Sequence, residues 1–136
     1  MLVARVIAKL EPGGAQLSLL RVARSFAARG HRTRLLAGFA TDAGVALARA
    51  HGVEPELMGA GEDLQWRCDP AFAAWLEPRL AGADLVHAHM LGAWWAAGRA
   101  VAPGMPLAAS EHNDLVWPGE PRWAAAAEVA DRVDRF

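Results

Sequence analysis

The 136-residue sequence predicts an α/β fold built on a doubly wound parallel sheet. Short apolar runs with β-branched residues alternate with segments of helical period, and Gly, Pro and Asp clusters separate the two. Strands separated by helices of about 10–15 residues form βαβ units, and their right-handed crossovers leave few possible topologies. We expect a single domain, because domains cluster at about 100–150 residues and no internal repeat or linker is visible.

Local signals justify each element in turn. The first strand ends at the breaker formed by residues 11–14, and the helix that follows is closed by Gly30. Thr41 or Asp42 caps a short helix through residue 50. Asp69 before Pro70 is typical of a helix start, and Pro78 is expected to kink that helix near its end at residue 80. The predicted strands are 3–10, 33–37, 53–58, 84–89 and 107–110, with a sixth opening at 132–136, and the last two predicted helices are 93–102 and 121–131.

Polar residues gather where three of these strands end. They are residues 11–14 after the first strand, His87 and His89 on the fourth, and residues 111–114 after the fifth. In the strand order 3-2-1-4-5-6, the first and fourth strands flank the crevice in which such sheets bind ligands. The sequence therefore predicts one cleft shared by all three polar groups.

Gly13 and Gly14 favour a sharp turn that exposes backbone N–H groups at a helix N-terminus, a place suited to phosphate. An ordinary strand-to-helix turn is the alternative. The G-x-G-x-x-G dinucleotide fingerprint is missing, and a P-loop is excluded because the only lysine, Lys9, precedes the glycines.

The histidines allow several interpretations. His87 and His89 share one face of a strand, so with His112 they could hold a metal, although no carboxylate pattern supports one and we predict none. We expect one of the pair to bond the backbone of a neighbouring loop and His89 to reach the cleft. His112, after the fifth strand, can bond a substrate hydroxyl or move a proton, or it can cap the loop.

Tryptophan is abundant, with six residues in the chain. Trp75 is expected in the core, whereas Trp94 and Trp95 point to two sides of one helix, so at least one should be partly exposed. Trp117 lies in a loop beside the predicted cleft, where either sugar stacking or packing is possible.

Composition excludes several classes. A formal net charge of −1 without a cluster of like charge argues against nucleic-acid binding, and the single Cys68 rules out an intrachain disulfide or a thiolate zinc site. No apolar run is long enough to span a bilayer and no signal peptide is visible, so we expect a cytoplasmic protein.

The order and spacing of several short motifs resemble the N-terminal Rossmann-like domain of a GT-B glycosyltransferase of the retaining family 4 kind. They are EPGGA at 11–15, ARGH at 28–31, DLVHAH at 84–89 and LAASEHN at 107–113, and the resemblance covers nearly the whole chain. Ser110 stands where the family often has threonine.

The resemblance implies a reaction and roles for particular residues. Gly14 would approach the diphosphate of a nucleotide-sugar donor, with Gly13 beside it in the turn, His112 would be catalytic, and Glu11 and Asn113 would face a hydroxyl acceptor. His89 is placed with the acceptor-side residues because it lies nearer the end of its strand. No cofactor is expected besides that donor. Residues 1–136 would be the acceptor-side domain, without the C-terminal donor-binding domain, and therefore inactive alone.

Alternatives remain at this point. The chain could be a non-catalytic acceptor-binding subunit that pairs with a separate donor-binding chain. It could also be a sugar epimerase of GT-B fold, using the carboxylates of Glu11, Glu111 and Asp114, or a flavodoxin-like protein. A soluble acceptor is favoured over a lipid, because no basic amphipathic helix is visible.

Overall fold

A computed structural model describes residues 1–112 and 120–135, and for residues 120–123 it describes the backbone only. Five parallel strands form one sheet in the order β3-β2-β1-β4-β5. The strands are β1 (Leu2–Leu10), β2 (Arg32–Ala40), β3 (Pro55–Leu57), β4 (Leu85–His89) and β5 (Leu107–Ser110). The helices are α1 (Gly14–Ala27), α2 (Asp42–Ala50), α3 (Pro70–Leu80), α4 (Leu91–Ala100) and α5 (Glu120–Val129), followed by a 3₁₀ turn at Ala130–Arg132.

Helices cover both faces of the sheet, which confirms the doubly wound α/β prediction. Apolar residues of α1 and α2 pack with Ile7 and Leu35 on one face. The other face buries a larger cluster, in which Phe72 and Leu76 of α3 and most of α4 pack on β1 and β4. Strands interior to a parallel sheet are buried on both sides, and this explains the nearly continuous apolar run of β1.

The start of a sixth strand lies where the predicted strand order places it, beside β5. Arg135 forms a parallel bridge with Ala108, Asp134 N–H donates to Leu107 O at 2.9 Å, and Ala109 N–H donates to Arg135 O at 2.7 Å. The five described strands therefore have the order expected from right-handed crossovers.

Two strands, β2 and β3, differ from the prediction by more than one residue at an end. β2 continues through Gly38 to Ala40. A Cβ at Gly38 would lie 2.8 Å from the Leu64 side chain and 3.0 Å from Ala8 O, so only a glycine fits without a shift of its neighbours. This glycine serves close packing rather than chain reversal, so it does not end the strand. β3 is shorter than predicted and has three residues, Pro55–Leu57.

The prediction that Trp94 or Trp95 is partly exposed was wrong. Both are buried, at 1% and 5% exposure, because α4 lies between the sheet, α3 and α5 and is covered on more than one side. The Trp95 indole N–H donates to Glu128 Oε2 at 3.2 Å. Trp75, expected in the core, is half-buried beside Phe72 with the Arg79 guanidinium over its ring.

Candidate functional site

A cavity of about 340 Å³ opens at the edge of the sheet where the strands end. Segments from different parts of the chain meet there, namely the loop after β1 with the start of α1, the loop before α3, the residue after β4 and the second residue after β5. The residues lining it are Glu11, Gly14, Ala15, Gln16, Gln65, Met90 and His112. Three predicted site residues, Glu11, Gly14 and His112, thus share one cavity, whereas Asn113 lies outside the described residues, as do Asp114 and Trp117.

The wall formed by α1 presents backbone N–H groups. The helix begins at Gly14 after Gly13 as N-cap, with no side-chain cap and no acidic residue in the first turn, and the bond from Leu17 N to Gly13 O closes that turn. A Cβ added to Gly14 would meet no atom within 4 Å, so its backbone opens directly onto the cavity. Open N–H groups and the positive end of the helix dipole together favour an anion.

The chain bends at residues 11–13, as expected from the sequence, but the bend does not depend on a left-handed glycine. Gly13 has φ −175°, an extended conformation that any residue adopts, and neither glycine has positive φ. A Cβ on Gly13 would instead lie 2.7 Å from the Gln16 Oε1 atom. Gln16 is buried, and its amide nitrogen donates to Lys9 O at 3.0 Å, which ties the first turn of α1 to the end of β1. Sequence reasoning missed Gln16, because nothing in the local pattern distinguishes it from a solvent-facing glutamine.

Glu11 is held by an ion pair at the rim of the cavity. The Lys9 ammonium lies 2.6 Å from Glu11 Oε1 and 3.0 Å from Asp63 Oδ2, so it connects the loop after β1 to the loop before α3. The hydrogen bonds that the Lys9 ammonium donates to Glu11 and then to Asp63 raise the pKa of Lys9. The sequence argument used Lys9 to exclude a P-loop and gave it no role in the site.

His87 bonds side chains instead of the loop backbone expected for one of the pair. Its Nδ1 lies 3.0 Å from Nη1 of Arg5, the residue opposite it in register, and its Nε2 lies 2.8 Å from Ser110 Oγ. Burial, followed by the charges of Arg5 and His112, lowers the pKa of His87 to about 4. Burial also lowers the pKa of Arg5, which is only 1% exposed.

His89 is buried behind His112 rather than exposed to the cavity. It is 4% exposed and is not among the lining residues, so its predicted contact with a ligand is not direct in this structure. Its Nδ1 lies 3.4 Å from His112 Nε2. Burial, followed by the fields of His87 and His112, lowers the pKa of His89 to about 2.

His112 is exposed at the mouth of the cavity, and Glu111 fixes its backbone. Its N–H donates to Glu111 Oε1 at 2.9 Å, while the Trp94 indole donates to the other carboxylate oxygen at 3.4 Å. An imidazole at this position can exchange a proton or a hydrogen bond with a molecule in the cavity that the N-terminus of α1 also lines.

No three His, Cys, Asp or Glu side chains are placed to hold a metal ion within residues 1–112 and 120–135. His87 in particular has both ring nitrogens bonded to protein groups. None of the helices described for this chain has the length and apolar character needed to cross a bilayer.

Comparisons with known proteins agree with this fold. Residues 12–136 match the model of Glycosyltransferase Family 4. A crystal structure of Anabaena Alr3699/HepE, in complex with UDP and glucose, aligns with a TM-score of 0.71 at 21% identity over 98% of this chain and 36% of HepE. The structure of AibC aligns with a TM-score of 0.52 at 16% identity over 97% of this chain and 33% of AibC.

At these identities the solved structures show the fold alone, and the chain spans about a third of the length of each. No curated protein sequence matches it. The family match instead covers almost the entire sequence, including the Gly14 turn, the paired histidines of β4 and His112. The chain therefore belongs to glycosyltransferase family 4.

Proposed function

We propose that this chain is the acceptor-side, N-terminal domain of a retaining glycosyltransferase that moves a sugar from a nucleotide-diphosphate donor to an acceptor hydroxyl. The observation that carries the proposal is the cavity, because its lining includes both the uncapped N-terminus of α1 and the imidazole of His112. One wall suits a diphosphate, and the other suits a hydroxyl-bearing sugar or acceptor.

The reaction breaks the bond between the anomeric carbon and the diphosphate oxygen and forms a bond from that carbon to the acceptor oxygen. The acceptor hydroxyl gives up its proton, which leaves with the departing diphosphate. Negative charge grows on the departing diphosphate, and fixed backbone dipoles at Gly14 meet that charge without having to reorganise. This stabilisation needs no metal ion. His112 acts beside the reacting carbon, with Glu11 and Asn113 on the acceptor side.

A second domain is part of the proposal, since the fold likeness to HepE extends over only 36% of that chain. We assign donor recognition to such a domain, facing the cavity from the C-terminal side of this one. We also propose a soluble acceptor and a cytoplasmic location, which suits a chain with a single cysteine.

The epimerase alternative is less well supported. It needs two carboxylates free to exchange protons across a substrate, yet the Glu11 carboxylate is paired with Lys9, and Glu111 receives bonds from the Trp94 indole and the His112 backbone. A non-catalytic acceptor-binding subunit fits the same fold, and a transfer assay distinguishes it from an enzyme.

The test is Gly14→Val in the full-length protein, with Gly61→Val as a matched control. A Cβ at either glycine has no atom within 4 Å and neither φ is positive, so both variants should fold. We expect the Gly14 variant to bind UDP at least about tenfold more weakly by calorimetry, because one interaction worth about 1.4 kcal/mol changes affinity tenfold. Its sugar transfer should fall in parallel while the control stays normal. Unchanged UDP affinity in the Gly14 variant would contradict the anion site.

A further inference from the structure

A line of polar side chains runs behind the cavity from β1 to the end of β5. It begins at Arg5, a buried arginine that has no carboxylate within ion-pair distance among residues 1–112 and 120–135. Arginine only donates hydrogen bonds, so Nδ1 of His87 must be the acceptor in their 3.0 Å contact. The proton of His87 is therefore on Nε2, from where it is donated to Ser110 Oγ at 2.8 Å.

The fixed His87 ring forms one side of the site that holds His89. The two ring centres are 4.1 Å apart, and His89 is 4% exposed. The loss of water on burial, followed by the fields of His87, His112 and Arg5, opposes a proton on His89 and lowers its pKa. His89 consequently meets His112 as a neutral ring carrying one N–H.

The hydrogen bond between Nδ1 of His89 and Nε2 of His112 is close to linear. Their ring centres are 5.7 Å apart, which exceeds the 3.4 Å between Nδ1 and Nε2 by about the full radii of both rings. That is possible only if the two nitrogens lie on the line joining the ring centres. The rings are also within 7° of parallel, so they lie side by side in one plane, the arrangement in which an N–H points straight at its acceptor.

The direction of this hydrogen bond follows from the other nitrogen of His89. Nε2 is buried and has no hydrogen-bond partner in the described part of the chain. Among buried backbone groups an N–H without a partner is rarer than an acceptor without one, and a buried ring N–H should follow the same preference. The proton of His89 therefore belongs on Nδ1, from which it is donated to His112 Nε2, and the proton of neutral His112 then belongs on Nδ1.

We propose that His89 is a positioning residue for His112, holding its ring in one plane and in the Nδ1–H tautomer at the mouth of the cavity. The catalytic consequence rests on the proposed function, whereas the tautomer rests on the geometry alone. Nδ1 of His112 has no bond to a described residue, so this arrangement presents an N–H donor to a ligand.

The tautomer can be measured without any activity. In a long-range ¹H–¹⁵N spectrum of residues 1–136 at pH 7.5, we expect Nδ1 of His112 to bear the proton and Nε2 to be the bare nitrogen. In His89→Leu the preference should be lost and His112 should become a mixture of tautomers. A proton on Nε2 of His112 in the wild type, or an unchanged tautomer in the variant, would overturn the proposal.

Two amide variants provide a matched pair for turnover in the full-length enzyme. The side-chain nitrogen of asparagine stands as many bonds from Cα as histidine Nδ1 does, and that of glutamine matches Nε2. We expect His89→Asn to retain kcat within about threefold and His89→Gln to lose about tenfold or more, with KM for the donor little changed, because misplacing a reacting group lowers turnover. Equal kcat values for the two folded variants would refute the positioning role.

The tautomer and turnover measurements together distinguish a failure of the proposed function from a failure of the role assigned to His89. If the wild-type enzyme transfers no sugar but His112 shows the expected tautomer, the proposed function fails and the structural arrangement stands. If transfer is normal and the tautomer is not as expected, only the role of His89 fails.

Discussion

Lowering the pH from 7 to 5 should destabilise this domain by about 3–4 kcal/mol, because it buries two histidines in neutral form. Folding holds the pKa of His87 at about 4 and that of His89 at about 2, against an ordinary value of about 6.5 in the unfolded chain. Between these values the unfolded state binds more protons than the folded state. The stability that these two histidines contribute is therefore fully present above pH 6.5 and is lost as the pH falls below it.

The magnitude follows from the two pKa differences. At pH 5 an unfolded histidine is nearly fully protonated while a buried one is not. For each such histidine, the free energy of unfolding is therefore about 2 kcal/mol lower at pH 5 than at pH 7. His89 should contribute nearly all of that amount. His87 should contribute about 1–2 kcal/mol, since it is partly exposed and solvent screens its charge. A total of this size is a large share of the 5–15 kcal/mol that stabilises a typical domain.

Urea unfolding followed by circular dichroism at the two pH values measures this difference. pH 5 lies above the ordinary pKa of carboxyl groups, so histidines dominate the change. We expect His89→Asn to reduce the wild-type difference by about 2 kcal/mol, and Gly61→Ala, an exposed change with open space around the new methyl group, to leave it intact. Equal stability of the wild type at both pH values would refute the reasoning, as would a His89 variant with the full wild-type pH dependence.

Two further predictions concern the site and its support. His112→Ala in the full-length enzyme should lower kcat by roughly 10²-fold in a sugar-transfer assay, because general acid–base groups contribute about that much, and near-normal turnover would make His112 structural. Gly44→Ala should destabilise the domain by about 1–3 kcal/mol, since its Cβ would stand 2.1 Å from the backbone oxygen of Leu10, and its melting temperature should fall by roughly 5 °C. Gly61→Ala is again the control, and equal melting temperatures for the two variants would show that α2 moves away from β1 without cost.

Much of the fold could be predicted from local patterns, for identifiable reasons. Asp69 accepts bonds from Ala71 N and Phe72 N, the cap expected of an acid before proline. The alternation of strands and helices fixed the sheet order, because crossover handedness leaves few choices. The buried state of Trp94 and Trp95 was mispredicted because it depends on α3 and α5, which cover α4 from distant parts of the chain.

Contacts between strands were harder to predict than the elements themselves. Arg5 and His87 are 82 residues apart, and they meet only because the β1–β4 register sets them opposite one another. No pattern along the chain determines that register to a single residue, and a shift by one would turn every side chain to the other face. The sequence therefore indicated which strand ends would meet, but not that His89 lies behind His112 instead of beside it.

Lys9, which forms an ion pair with Glu11 at the rim of the cavity, provides one amine that can be labelled chemically. Lys9 is the only lysine among residues 1–136, so apart from the α-amino group its side chain is the one primary amine that this domain offers to acylating reagents. The carboxylates of Glu11 and Asp63 keep that amine protonated and slow to react. A molecule that draws Glu11 away on entering would speed the labelling of Lys9, so the rate of acylation at one known atom would report occupancy of the cavity without any dye or engineered tag.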